Sequence, residues 1–389
     1  MTNNNEIKFL LSKSDWLSTK PTGEKAEEHS RRNSEQLNQY LLSAMQMQNL
    51  MVLSGCGTSS GRTKGPSMTE LWVNCTKKDN KYTETARNVF KLVSYDSSDE
   101  NKVNIEELLS LCEAALMIKK DEIIEKFVED CKSNILKSCS FKKTDDSLSA
   151  HKTFIHRLSR RRVRDSRLKI FTTNYDTCFE EAAGSQGIVV IDGFSFAKPR
   201  KYDPRFFDVD IVKRTTNSQI SDNYLEGVFQ LFKLHGSVMW EKDEEGIIEK
   251  EATAKGACMI FPVKGKYQQS YIQPHLELMA RYLAALREAN TCLLIVGFGF
   301  NDMHLSEPIM AAIKSNPYLK VIIVDPEAEA KTNGQSNYWK LLKALNQKGE
   351  DVVFVATNFE DFADIVPDLK TLTPAEKVAN AIKSLSGDK

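Results

Sequence analysis

Short apolar runs that end on polar or glycine positions recur along this chain, at 49–54, 168–173, 187–191, 228–234, 258–261, 292–296, 319–324 and 351–355. Each has strand length, and most are near-continuous β-branched or aromatic sequence, the pattern of strands buried on both faces. Between the later runs, the spacing predicts helices over 271–288, 305–314 and 338–345. Alternation of this kind predicts an α/β fold built on a doubly wound parallel sheet. From about Tyr82 to Val163 the spacing turns helical, clearest at 105–112 and 122–127, and predicts a helical subdomain inserted after the first strand unit. The expected organisation is a polar, helical extension over 1–48, a catalytic domain over 49–355 carrying the insertion at about 82–163, and a helical tail over 356–389.

Two of the strand ends carry chemistry. The run 168–173 leads into Asn174-Tyr175-Asp176, and the run 228–234 leads into His235-Gly236-Ser237. In an open α/β sheet, ligands occupy the crevice at the carboxyl edge of the strands, so an amide, a carboxylate and an imidazole at strand ends suggest an enzyme. The first strand runs into Gly55-Cys56-Gly57-Thr58-Ser59-Ser60-Gly61. Such a loop can bring backbone N–H groups against a pyrophosphate, though Gly-x-Gly-x-x-x-Gly also suits a plain tight turn. Cys56 reads as a small filler, with no histidine nearby in sequence to activate it.

Asp325 follows the run 319–324 and precedes Pro326, so it is either a strand-end acid for ribose hydroxyls or a turn residue. The segment Asp302-Met303-His304 can reach the same cleft, while Asp302 can equally cap the helix that follows, slightly preferred for its structural role. His151 and His156 are five apart rather than the four that aligns two ligands on one helix face, so no metal site is expected there. The run from Arg157 to Arg164 is the one local basic patch, suited to a solvated or partner-docking face before a nucleic-acid site.

Composition narrows the class without naming it. Lys plus Arg and Asp plus Glu both total 53 in 389 residues, so bulk charge gives no argument for nucleic acid or an anionic membrane. No stretch has the apolar length of a transmembrane helix, and the start Met1-Thr2-Asn3-Asn4-Asn5-Glu6 lacks a signal-peptide layout. Eight cysteines without a Cys-x-x-Cys pair read as reduced thiols in the cytoplasm.

Taken in order, Gly55-Cys56-Gly57-Thr58-Ser59, Thr173-Asn174-Tyr175-Asp176, His235-Gly236 and Gly297-Phe298-Gly299-Phe300 resemble the Sir2 (sirtuin) superfamily. Thr-Thr-Asn-Tyr-Asp with Lys-Leu-His-Gly-Ser looks most like the bacterial Sir2-like branch of antiphage defence systems, in the manner of the Sir2 subunit of Sir2–HerA systems. The resemblance covers 49 to about 80 and 165–330, and it implies a Rossmann-like sheet with NAD+ as substrate and no further cofactor. The chain departs from the family at Thr173, where sirtuins carry Gln, at Phe298 and Gly299, which replace Thr-Ser, and in lacking the zinc ribbon.

By that resemblance, Gly55, Cys56, Gly57, Thr58, Ser59, Thr173, Asp176, Gly297, Gly299, Asp302 and Asp325 are the expected NAD-binding positions, with Asn174 and His235 catalytic and no bound metal. Asn174 would hold the nicotinamide ribose and orient water, Asp176 would recognise the carboxamide, and His235 would be the general base, since imidazole titrates near neutrality. Without a zinc ribbon the expected acceptor is water, which gives ADP-ribose and nicotinamide. The alternatives are a deacylase or ADP-ribosyltransferase, or a nucleic-acid-associated, nuclease-like subunit using Arg157–Arg164. Residues 1–48 and 356–389 are too short for a sensor domain, so the branch implies a separate regulator, a HerA-like ATPase or an Argonaute-like protein, and a homo-oligomer.

Overall fold

The computed structural model describes residues 6–369 apart from 24, 100–102, 163, 214–223, 262–272 and 335. Its strands are β1 (Lys8–Leu10), β2 (Leu17–Ser18), β3 (Asn49–Ser54), β4 (Lys77–Lys78), β5 (Lys81–Tyr82), β6 (Leu168–Thr172), β7 (Val189–Ile191) and β8 (Val228–Lys233). They continue with β9 (Gly236–Asp243), β10 (Gly246–Glu249), β11 (Ala257–Met259), β12 (Thr291–Val296), β13 (Leu319–Val324) and β14 (Val352–Ala356). The main sheet has the order β2-β1-β14-β13-β12-β3-β6-β8-β7. From β14 across to β7 every pairing is parallel, so the fold is the expected doubly wound α/β sheet.

Alternate residues of these strands face opposite layers. Met51, Leu53, Leu293, Ile295, Val321 and Ile323 belong to one apolar core, and Leu50, Val52, Cys292, Leu294, Ile322 and Val324 to the other. A fully buried aliphatic side chain contributes about 1.5–3 kcal/mol, so the central strands could not be turned outward without losing the fold. Helix Ala26–Met45 covers the second face through Leu37, Leu41, Ala44 and Met45.

Three expectations change. The segment before residue 49 is not an appendage, because β1 pairs antiparallel with β14, Phe9 opposite Val355, and carries β2 on its outer side. The helical insertion does not run over 82–163. Its core begins at Leu71 and Trp72 in helix Met68–Thr76 and ends at Cys139 in helix Glu122–Cys139. Helix Ser149–Ser159 instead buries Phe154, Ile155 and Leu158 against the main sheet. The run 258–261 leaves the parallel sheet, since β11 joins β9 and β10 in a small antiparallel sheet whose Val238, Met259 and Phe261 pack on the helical insertion. After β14 the described residues hold one helix, Phe359–Ile365, and the helix expected from Pro374 onward lies outside them.

Candidate functional site

Strand register places the site. Ser54 pairs with both Val296 and Thr172, Val296 with Val324, and Thr172 with Lys233, so these strands end level with one another. The residues that follow, Gly55, Thr173, Leu234, Gly297 and Asp325, therefore emerge along one edge. β3 lies between β12 and β6, where the chain winds one way and then the other, the topological switch point at which such sheets bind ligands.

Two loops meet there backbone to backbone. Gly57 N–H donates to the Gly297 carbonyl at 3.0 Å, and a Cβ on Gly57 would lie 2.6 Å from Gly297 Cα. Gly297 has φ +63°, a left-handed conformation glycine adopts freely, and a Cβ there would lie 2.7 Å from Gly57 C. The first loop makes a single 3₁₀ turn, Cys56–Thr58, and reaches helix Met68–Thr76 only after a further loop. Ser67 and Glu70 cap that helix reciprocally.

A cavity with about 950 Å³ of empty space, partly open to solvent, occupies this edge. Of the residues expected at the site, Gly55, Cys56, Ser59, Thr173, Asn174, Asp176, His235, Gly297, Gly299 and Asp302 line it. Gly57, Thr58 and Asp325 do not. Gly57 is consumed by its contact with Gly297, and buried Thr58 bridges Ser54 Oγ at 2.8 Å and the Gly55 carbonyl at 2.9 Å. Asp325 holds the turn after β13: its Oδ1 accepts from Glu327 N–H at 2.8 Å and its Oδ2 from Lys331 at 2.7 Å. The turn-residue alternative for Asp325 is the one the geometry favours.

Asn174 is tied to the glycine loop. Its Nδ2 lies 3.0 Å from the Gly55 carbonyl, 3.1 Å from Thr58 Oγ1 and 3.0 Å from Ser59 Oγ. An amide has two such hydrogens, so these partners take both, and Oδ1 is the atom left to accept from a ligand. Asp176 is buried, and its Oδ1 accepts from Cys178 N–H at 3.0 Å. Burial raises its carboxyl, but the Lys233 ammonium and hydrogen bonds from Cys178 and Ser59 outweigh that and hold it below the usual carboxylate range. Lys233, also buried, donates to the Asp176 carbonyl and to Glu180 Oε1, the latter at 2.9 Å. Burial pushes the Glu180 carboxyl up against the pull of Lys233.

His235 sits in the turn between β8 and β9. Gly236 next to it has φ +86°, and a Cβ there would fall 2.1 Å from the Cys258 carbonyl, so glycine is what lets β9 start against β11. The Nε2 atoms of His235 and His304 lie 3.3 Å apart. Asp302 occupies the N-cap position of helix Met303–Ser315, the structural place preferred for it, and makes no side-chain capping bond there. Cys56 is surface-exposed, yet desolvation pushes its thiol up, against a nucleophilic thiolate.

Sequence reasoning missed the far wall of the cavity, which includes Met68, Leu71, Glu106, Cys139 and Phe141 of the helical insertion and its edge. It brought Asp302-Met303-His304 to the cleft but gave His304 no role of its own. The basic run faces elsewhere and is largely spent on main-chain carbonyls. Arg157 donates to Ala363, Asp364 and Val366, and Arg161 to Met45, Met47, Gln48 and Ser166. Arg160 pairs with Asp368, and Arg162 with Asp165 at 2.7 Å, while Arg164 keeps an exposed side chain. Such a set clamps helix ends and offers little to a nucleic-acid backbone.

Residues 168–344 match the family model described as SIR2-like domain, a stretch that contains Asn174, Asp176, His235, Gly297, Asp302 and His304. Among solved structures, the chain is similar to a Sir2 homologue in complex with 2'-O-acetyl ADP ribose, at 13% identity and TM-score 0.41, over 86% of this chain and 98% of that one. It is similar to a Sir2 homologue–NAD complex at 13% identity and TM-score 0.41, over 84% of this chain and 91% of that one. No curated protein matches the sequence. No described helix is long and apolar enough to cross a membrane.

Proposed function

We propose that this chain is a Sir2-like NAD+ glycohydrolase that cleaves NAD+ with water into ADP-ribose and nicotinamide. The observation that carries the reading is the convergence of Asn174, Asp176 and His235 with the Gly55–Ser59 loop on one cavity at the switch point of the sheet. The SIR2-like match over 168–344 supports the choice of NAD+ as the ligand.

Nicotinamide leaves as a neutral molecule from a ribosyl centre of oxocarbenium character, so the site need not protonate the leaving group. It has to position the ribose, exclude competing geometry and take a proton from the incoming water. Asn174 presents Oδ1 to the ribose hydroxyls or to that water, with its amide hydrogens holding the loop beneath. Asp176, kept ionised by Lys233, accepts from the carboxamide. His235 Nε2 takes the water proton. By the antiphage resemblance, the reaction serves defence through NAD depletion, as a homo-oligomer restrained by a separate HerA-like ATPase.

Purified protein is incubated with NAD+ alone and nicotinamide release is followed, with His235→Ala as the control. Release that needs no acyl-lysine and is lost in His235→Ala supports hydrolysis. Release that requires an acyl-peptide would replace it with deacylation, and undiminished turnover in His235→Ala would remove the histidine from its assigned role.

A further inference from the structure

His235 and His304 are separated in sequence by the whole of β9 to β12, yet their Nε2 atoms lie 3.3 Å apart with rings inclined by 29°. The Asp302 carboxylate joins them: one ligand atom from each of the three lies within 4.8 Å of the others, the group of this kind among the described residues. We propose that His235, Asp302 and His304 bind one Zn2+, and that the bound ion inhibits the reaction at this site.

The spacing is that of ligands sharing an ion. Two nitrogens at the usual zinc distance of about 2.0–2.1 Å and a tetrahedral angle lie about 3.4 Å from each other. The same separation also admits a long N–H···N hydrogen bond between the rings, so it is the Asp302 carboxylate as third group that points to an ion. Two imidazoles and a carboxylate suit zinc, and three protein ligands leave a fourth position open, the arrangement of open zinc sites, with His235 and Asp302 lining the cavity. Asp302 and His304 stand together at the start of helix Met303–Ser315, Asp302 at its N-cap position.

Inhibition follows from charge and from the lone pair, and this half rests on the NAD+ hydrolysis reading. A zinc-bound Nε2 has donated the electron pair that would accept the water proton. The ion also places positive charge beside a cationic nicotinamide ring and a ribosyl centre that becomes more cationic as the bond breaks. Zinc and NAD+ therefore exclude one another.

The test uses the full chain freed of metal with a chelator and titrated calorimetrically with ZnCl2 alone, then with CoCl2 followed by visible absorption. One ion per chain is expected, with affinity falling more than about tenfold in Asp302→Asn and in His304→Ala, since loss of even an outer-shell partner costs about 10–100-fold. Circular dichroism confirms that each variant is folded, and Asp302→Asn, which keeps size and shape, serves if His304→Ala is not. Cys56→Ser should bind zinc as the parent does. Absence of binding, binding untouched by Asp302→Asn, or binding lost in Cys56→Ser would overturn the site. Nicotinamide release should fall with added Zn2+ and return with EDTA; stimulation by zinc would overturn inhibition. If no nicotinamide is released under any condition, the hydrolysis reading fails, and the titration still decides whether the metal site exists.

Discussion

Replacing His151 by Leu should flatten the acid side of the stability profile. His151 is buried between Phe179 and Phe359, with ring centroids 5.1 and 4.9 Å away, and neither ring nitrogen has a hydrogen-bond partner. Desolvation lowers its pKa from 6.5 to about 4, Asp176 opposing and Lys143 assisting. The imidazole is thus neutral in the folded protein at pH values where the unfolded chain is protonated. Stability is fully present above the unfolded pKa and is lost as pH falls through 6.5 toward about 4. At about 1.4 kcal/mol per unit the full loss is about 3.4 kcal/mol, of which about 2 kcal/mol is reached by pH 5. His275, also lowered to about 4 by burial, adds a similar amount, so the parent should lose about 4 kcal/mol from these two groups between pH 7.5 and 5.0.

Urea unfolding at those two pH values measures the loss. In His151→Leu it should shrink by about 2 kcal/mol, because the Asp176 and Glu180 contributions are nearly common to both proteins and cancel in the difference. At pH 7.5 the variant should be at least as stable as the parent, since an orphaned buried polar group costs about 1–3 kcal/mol. Equal pH 5.0 losses in the two proteins would refute the neutral, desolvated imidazole.

Gly297→Ala should cost about 2–5 kcal/mol, from a left-handed φ and a Cβ driven into Gly57, and should abolish nicotinamide release even where the protein stays folded; a Tm scan with the release assay checks both. Arg161→Met strips donors from four carbonyls and should destabilise by about 3 kcal/mol, while NAD+ affinity at low temperature stays unchanged because the clamp lies away from the cavity. Lys233→Met leaves the partly buried Glu180 without its partner, and a loss of about 1–3 kcal/mol is expected by chemical denaturation, with recovery in the double variant Lys233→Met, Glu180→Gln.

How much of this was legible in sequence depended on whether the signal was local. β3, β6, β8, β12, β13 and β14 announce themselves because a strand buried on both faces must be almost entirely apolar, and the polar residue that breaks each run marks the carboxyl edge. Asn174 and His235 were found that way. β1 was not, since three residues of strand carry no periodicity and only the pairing of Phe9 with Val355 defines it. The partnership of His235 with His304 joins segments that share no pattern. Helix Ser149–Ser159 has the same amphipathic spacing as its neighbours in the insertion, and only packing on Phe179 and Phe359 assigns it to the sheet. The arginine run looked like a ligand surface because sequence displays charge without showing the carbonyls that consume it.

The hold of Asn174 on the glycine loop changes what a dead mutant would mean. Removing the amide deletes the proposed ligand contact and also unpins Gly55, Thr58 and Ser59, so Asn174→Ala confounds chemistry with scaffolding. Asn174→Asp separates them in the opposite sense: it keeps an acceptor toward the cavity and turns a donor into a repelled oxygen against the Gly55 carbonyl. A genetic screen that scores inactivity alone would rank the two substitutions together, whereas a crystal of each should differ at residues 55–59.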